Sequence, residues 1–203
     1  MVSPSAPPPP APPCTVDMLK QRSAGDKSWP VACSDTTLGT ADKELDLSGA
    51  HLSYGDFEGA TFTGAGAIKL NGAGLAHADL SDSRLTASLS NGKALIDFTA
   101  ANLTNADLSG SKITADGSYY ASTTIDFTEA TLAKADLSGS ELTAIDSIDF
   151  TEATLAKADL SGSILTAETI IGLAPPSPPA LPAPTAPPPA LLRPVSYTHL
   201  TLP

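Results

Sequence analysis

A 20-residue repeat constrains the fold of this chain more than any other feature. Five blocks align without internal gaps, at residues 45–64, 68–87, 96–115, 125–144 and 148–167, with spacers of 3, 8, 9 and 3 residues between them. The last two blocks differ only at Glu141 against Ile164. A fixed period of this length is typical of a solenoid, in which each repeat packs only on its neighbours.

Each block divides into four groups of five residues. A large apolar residue recurs at every fifth position, as in Phe127, Leu132, Leu137 and Leu142, and a small or β-branched residue stands two positions before it. Residues two apart on an extended segment share a face, so both should point inward and the polar residue between them outward. The spacing of two and five does not fit an amphipathic helix. We therefore expect four short sides joined by turns to close one coil.

This A-(D/N)-L-x-x pattern resembles the pentapeptide-repeat family over about residues 45–167. The resemblance implies an all-β fold, a right-handed quadrilateral β-solenoid of about five coils with disordered Pro-rich termini. A leucine-rich repeat has a similar period and is the alternative. That repeat needs Asn or Cys at a position where this chain has Ala50, Ala73, Ala101, Ala130 and Ala153.

The prolines delimit the folded region, since all 19 lie at or before Pro30 or at or after Pro175. Proline has no N–H for a strand ladder. We predict a disordered Pro-rich arm at 1–13, an N-terminal cap segment at 14–44, the solenoid at 45–167, a short C-terminal cap at 168–174 and a Pro-rich linker at 175–194. Residues 195–203 resemble a translated sequencing adapter, so we expect the natural sequence to diverge after about Pro194.

The only two cysteines, Cys14 and Cys33, both lie in the predicted N-terminal cap. A disulfide between them is the favoured interpretation, and two reduced thiols are the alternative. Neither cysteine belongs to a metal-binding or catalytic pattern.

One outward position of each block is always aspartate. We predict that the third side of the solenoid carries an acidic column formed by Asp56, Asp79, Asp107, Asp136 and Asp159. Like charges about 5 Å apart repel by roughly 1 kcal/mol in water. Lys134 and Lys157, turn amides or bound cations could offset this repulsion. The simplest interpretation is that these aspartates are solvated residues common to the repeat. The alternative is that the column is an interaction surface.

All spacers follow the fourth side, so we expect the inserted residues to protrude from one edge. The segments 88–95 and 116–124 are predicted as neighbouring loops, and the second carries Tyr119 and Tyr120 as candidate contact residues. Tyrosines packed against the rod are the alternative.

Composition and motifs predict a protein that is not an enzyme and needs no cofactor or metal. Residues 45–167 contain 16 acidic and 6 basic residues, a net charge of −10, which disfavours phosphate-mediated nucleic-acid binding and anionic membranes. His51 and His77 are single, outward and best explained as surface residues. No phosphate-binding loop or zinc motif is present.

Two functional hypotheses remain. The first is a structural or protein-interaction module between Pro-rich linkers, with an unidentified protein partner and with end-to-end self-association through an uncovered solenoid end. The second is a DNA mimic that inhibits an enzyme such as gyrase, as the resemblance implies for some family members. Composition favours a secreted or cell-surface location, and an intracellular or plastid-lumen location is the alternative.

Overall fold

The computed structural model describes residues 14–23, 32–89, 92–118 and 121–173. These residues form an all-β solenoid of about five turns, which confirms the fold predicted from the repeat. One short helix, α1 (Val16–Gln21), precedes it. The strands in the described ranges are Thr37–Thr40 (β1), Leu45–Asp46 (β2), Thr61–Ala65 (β3), Ala67–Lys69 (β4), Arg84–Leu89 (β5), Lys93–Asp97 (β6), Lys112–Gly117 (β7), Ser122–Asp126 (β8), Glu141–Thr143 (β9), Ser147–Asp149 (β10), Ile164–Thr166 (β11) and Thr169–Ile171 (β12).

The coils have four sides, and two of these sides are six-stranded parallel sheets. The first side contains the even-numbered strands in the order β12-β10-β8-β6-β4-β2, and the fourth side contains the odd-numbered strands from β1 to β11. The second and third sides carry one parallel bridge per coil, in columns that include His51 and Asp56 respectively. No helix separates these strands in the described part of the chain, which rules out the leucine-rich alternative.

Equivalent positions of successive blocks lie directly above one another. Ile96 pairs with Ile125, and Ile125 pairs with Ile148. The apolar residues consequently form columns inside the solenoid. The buried rings of Phe98 and Phe127 stack 4.8 Å apart, and those of Phe127 and Phe150 stack 4.9 Å apart, close to the ~4.8 Å spacing of paired strands.

The corners between the second and third sides place side chains in the left-handed region. The residues at this corner are Tyr54, His77, Asn105, Lys134 and Lys157, with φ between 54° and 61°. In all five coils the residue after each of them donates its N–H to the carbonyl three positions earlier, as from Ala135 to Leu132 at 3.0 Å. These β-turns let a five-residue unit complete a side and change direction.

The two long insertions are neighbours, as predicted, but most of their described residues lie in strands and not in loops. They extend β5 to β8 outward from the edge between the fourth and first sides, and Ser88 pairs with Asp116 while Lys93 pairs with Ser122. Their lengths of 8 and 9 residues are nearly equal, and where both insertions are described their strands pair with each other. We call residues 87–95 and 115–123 the tongue; its buried side chains belong to Ala87, Ala94, Ala115, Ala121 and Thr123.

Both predicted cap segments continue the coil geometry. Before the first block, β1 pairs with β3 on the fourth side and Ala32 bridges Asp56 on the third. After the last block, β12 pairs with β10 on the first side. Helix α1 begins after Thr15, whose hydroxyl accepts the N–H of Met18 at 3.2 Å.

Candidate functional site

The third side brings the five predicted aspartates into one column. Successive members are bridge partners in the parallel register from one coil to the next. Each carboxylate accepts, through Oδ1, the N–H of the residue two positions later. The acceptor distances are 3.2 Å for Asp56, 3.0 Å for Asp79, 2.9 Å for Asp107, and 2.8 Å for both Asp136 and Asp159.

These turn hydrogen bonds explain how the third side tolerates aligned negative charge. They stabilise the charged form of each carboxylate. At Asp159 the hydrogen bond from the Ser161 N–H lowers the pKa of the carboxyl. Neither Lys134 nor Lys157 forms an ion pair within the described ranges. The repulsion between the aspartates is therefore offset by hydrogen bonds from turn amides and not by lysines.

The first side presents a different charge pattern. Its outward column reads Asp46, Lys69, Asp97, Asp126, Asp149 and Ile171. Lys69 interrupts the carboxylates and pairs with Glu44 at 2.5 Å, which raises the pKa of Lys69. Asp46 pairs with Lys20 at 3.3 Å. Hydrogen bonds from Ser48, with Lys20 as a smaller contribution, lower the pKa of Asp46 to about 2.

A corner column runs beside the acidic column. The rings of Tyr54 and His77 stack with centroids 4.8 Å apart and planes 4° apart, and Tyr54 is 62% exposed. Asn105 Nδ2 lies 3.5 Å from His77 Nε2. His51 and His77 both lie on the outside of the rod, as predicted. The stack of Tyr54 on His77 was not predicted, because the two rings occupy the same position in two successive blocks. Aligning the corner position of each block would have placed the two rings together.

A metal-binding cluster is not apparent in the described part of the molecule. Among those residues, no group of three or more His, Cys, Asp or Glu side chains is arranged to hold a metal ion. No helix within them is long and apolar enough to cross a membrane.

Cys14 and Cys33 form a disulfide with a Cα–Cα distance of 5.4 Å. Cys33 is fully buried against the first coil, and its N–H donates to the carbonyl of Asp56 at 2.7 Å. The bond therefore fastens the start of α1 to the solenoid. Tyr119 and Tyr120, the other predicted contact residues, lie outside the described residues, as do Trp29 and Val31 of the predicted cap.

Comparison with known families matches residues 43–86 to pentapeptide repeats, in eight copies. The same strand register continues beyond this match to β12. No curated protein matches the chain significantly.

Three solved structures illustrate what the chain is similar to. The pentapeptide repeat protein Rfr23 from the cyanobacterium Cyanothece 51142 is 17% identical, with a TM-score of 0.22 over 72% of this chain and 67% of its own. QnrB1, a plasmid-mediated fluoroquinolone resistance protein, is 21% identical, with a TM-score of 0.16 over 66% and 82%. HetL from Nostoc sp. strain PCC 7120, involved in heterocyst differentiation regulation, is 17% identical, with a TM-score of 0.17 over 66% and 89%. Similarity at this level identifies no shared partner.

Proposed function

We propose that this chain, which matches pentapeptide repeats over residues 43–86, is a non-catalytic interaction module whose third side binds a basic surface of a protein partner. The observation that carries the proposal is the uninterrupted column of five aspartates. Within the described residues none of them forms an ion pair, whereas the first side is broken by Lys69 and partly neutralised by Lys20.

The geometry of the column favours recognition of cations. Each aspartate is held by a turn N–H through Oδ1, while its Oδ2 makes no hydrogen bond to the described residues. A partner would meet carboxylates that are already oriented, so less side-chain entropy is lost on binding. Complementary charge of this kind contributes mainly to specificity and to the association rate.

The test compares two variants with the same change in net charge. The third-side variant carries Asp79→Asn, Asp107→Asn and Asp136→Asn, and the first-side variant carries Asp97→Asn, Asp126→Asn and Asp149→Asn. Asparagine can keep the turn, because Asn102 Oδ1 already accepts the N–H of Thr104 at 3.1 Å. The probe is a fluorescent oligolysine peptide followed by anisotropy at low salt.

We expect the third-side variant to lose about 10-fold in affinity and the first-side variant less than about 3-fold, with binding weakened by salt. Equal losses in both variants would show that the probe senses only net charge, and would contradict a specific acidic face.

A second candidate function is mimicry of DNA, favoured by the density of charge. Residues 45–167 carry a net charge of −10. Five coils at ~4.8 Å span about 24 Å, or one net charge per ~2.4 Å, compared with ~1.7 Å for duplex DNA. A gyrase supercoiling assay tests this alternative. Inhibition that the third-side variant loses would favour mimicry, and no inhibition by the intact chain would exclude gyrase as the target.

The tip of the tongue is a proposed secondary contact. Tyr119 and Tyr120 lie between β7 and β8 in the sequence, and these two strands pair with β5 and β6 respectively, not with each other. Protection of these tyrosines from nitration when a partner is bound would support the assignment. Unchanged nitration would exclude it.

A further inference from the structure

The third coil contains a tripeptide that occurs nowhere else in the chain. Asn102, Leu103 and Thr104 match the sequence Asn-X-Ser/Thr, in which X is not proline and the asparagine can accept an N-linked glycan. The other asparagines, at positions 71, 91 and 105, are not followed by serine or threonine two residues later. The match is therefore confined to one site, on the second side of the solenoid.

The Asn102 side chain is exposed on the outside of the rod. Its backbone N–H donates to the carbonyl of Ala73 at 2.9 Å, and its carbonyl accepts the N–H of Leu75 at 2.7 Å, so the backbone is fixed against the preceding coil. The side-chain Oδ1 accepts the N–H of Thr104 at 3.1 Å, whereas Nδ2 forms no hydrogen bond to the described residues. The nitrogen that would carry a sugar is therefore accessible.

Attachment of a sugar would preserve the turn that holds Asn102. Glycosylation replaces one hydrogen on Nδ2 and leaves Oδ1 unchanged, so the hydrogen bond from the Thr104 N–H can remain. Aspartate, which has no side-chain N–H, forms the same turn five residues later, where Asp107 Oδ1 accepts the N–H of Ser109 at 2.9 Å. The turn consequently depends on the side-chain oxygen alone, and the folded coil tolerates a modified nitrogen.

The second side offers space for a neutral, bulky group. The residues in line with Asn102 are His51, Gly74, Thr131 and Thr154. Gly74, which lies directly before Asn102 in this column, has no side chain that would contact a sugar. None of these residues is acidic, in contrast to the aspartate columns of the first and third sides. A glycan would therefore be attached to the side without an acidic column, where added bulk displaces no charged group.

The disulfide between Cys14 and Cys33 is an independent observation that favours modification. These two residues are the only cysteines of the chain, and both are bonded. Disulfides form and persist in oxidising compartments such as the lumen of the endoplasmic reticulum. N-linked glycans are likewise typical of secreted proteins. Passage through a compartment that forms the disulfide would thus also present Asn102 to a glycosyltransferase.

We propose that Asn102 is an N-glycosylation site, used when the chain passes through an oxidising secretory compartment. The donor is an oligosaccharide linked to an isoprenoid diphosphate. Nδ2 of Asn102 forms a bond to C1 of the first sugar, and the bond between C1 and the diphosphate oxygen breaks. The diphosphate leaves with the electron pair, one amide proton passes to solvent, and no group is oxidised or reduced.

Expression of the full chain in a eukaryotic cell, with a cleavable leader that directs it into the secretory pathway, tests the proposal. Protein is recovered from the medium and from the secretory compartments, and its intact mass is measured. We expect a mass above that of the chain, and peptide N-glycosidase should remove the excess. The enzyme converts the glycosylated asparagine to aspartate, so the tryptic peptide 94–112 should then contain aspartate at position 102 and unchanged Asn105.

Four variants separate the site from the fold. Asn102→Asp keeps the oxygen that forms the turn, and Thr104→Ala removes the hydroxyl that the acceptor sequence requires; both should lose the glycan completely. Thr104→Ser retains the acceptor sequence and should remain glycosylated. Asn105→Asp is the matched control, because it introduces the same charge three residues away, and it should also remain glycosylated. Similar unfolding temperatures for the two aspartate variants, both made without glycans in bacteria, would exclude misfolding as the cause of the loss.

Two results would overturn the proposal. The first is a disulfide-bonded chain, recovered from the secretory pathway, in which Asn102 is unmodified. The second is an excess mass that peptide N-glycosidase removes from Asn102→Asp or Thr104→Ala as well, because the glycan would then be attached elsewhere. Neither outcome depends on whether the third side binds a basic partner, since unglycosylated protein serves for that test.

Discussion

The two ends of this rod carry the same repeat but differ in the residues that cover them. At the N-terminal end, Arg22 Nη1 donates to the carbonyl of His51 at 3.1 Å, in the place where a preceding coil would donate an amide. Lys20 pairs with Asp46, and Leu19 is buried on the first coil. At the C-terminal end, no comparable residues follow the fifth coil within the described ranges.

The fourth and fifth coils show that burial here is a property of stacking and not of local sequence. They differ only at Glu141 and Ile164, yet one has a closed interior and the other is partly open. In a solenoid each repeat is stabilised by its two neighbours, so a terminal repeat loses about half of that interaction. The difference between the two ends can therefore be tested at matched positions.

The largest expected effect comes from the central leucines. Leu137→Ala should destabilise the protein by about 3 kcal/mol, because it opens a cavity in a closed layer. Leu160→Ala should cost roughly 1 kcal/mol, because the leucine is already partly exposed. Urea unfolding of both variants at low protein concentration measures the difference. Equal losses would show that the fifth coil is covered after all.

Removing the disulfide tests how the N-terminal end is closed. Its sequence separation is 19 residues, and a loop of that length corresponds to about 3 kcal/mol. We expect reduction to lower stability by up to this amount and to increase hydrogen exchange in β1 and β2. The variant with Cys14→Ala and Cys33→Ala is the control and should not respond to reductant. Unchanged exchange in β1 and β2 on reduction would mean that the disulfide is not needed to hold the cap.

The buried serines provide a smaller comparison. The hydroxyl of Ser140 is buried without a partner in the described part of the molecule, whereas the equivalent Ser163 hydroxyl donates to the carbonyl of Leu160 at 2.6 Å. Ser140→Ala should stabilise by about 1 kcal/mol, because an unpaired polar group is removed. Ser163→Ala should destabilise by about 0.5–1 kcal/mol. Thermal unfolding distinguishes the two, and the same sign for both would contradict this hydrogen-bonding pattern.

The smallest expected effect is the pH dependence of the N-terminal cap. The pKa of Asp46 is lowered to about 2 in the folded protein, compared with ~3.9 in an unfolded chain. The contribution of Asp46 to the free energy of unfolding is therefore present above about pH 4 and is lost as the pH falls toward 2. Solvent exposure limits this contribution to below about 1 kcal/mol.

The measurement is the stability difference between the natural sequence and Asp46→Asn from pH 2 to 7. The difference should disappear at the acid end. Lys20→Met, which removes only the ion pair, should reproduce a minor part of it. A difference that persists unchanged at pH 2 would show that the charge of Asp46 is not its source.

The repeat predicted what is periodic. The coil, the Asp column and the inward leucines follow from positions that recur in every block, because stacking places equivalent residues in line. The sequence did not predict α1, the Arg22 hydrogen bond or the strands of the tongue. These features occur once and depend on contacts between distant segments, such as Arg22 with His51, and no local pattern encodes them.

Hydrogen exchange in the fourth and fifth coils tests the central claim most directly. Their near-identical sequences give near-identical intrinsic exchange rates, so any difference reports stacking alone. The amides of Leu155 and Leu160 should exchange at least ~100-fold faster than those of Leu132 and Leu137. Equal protection of the two coils would contradict an open C-terminal end.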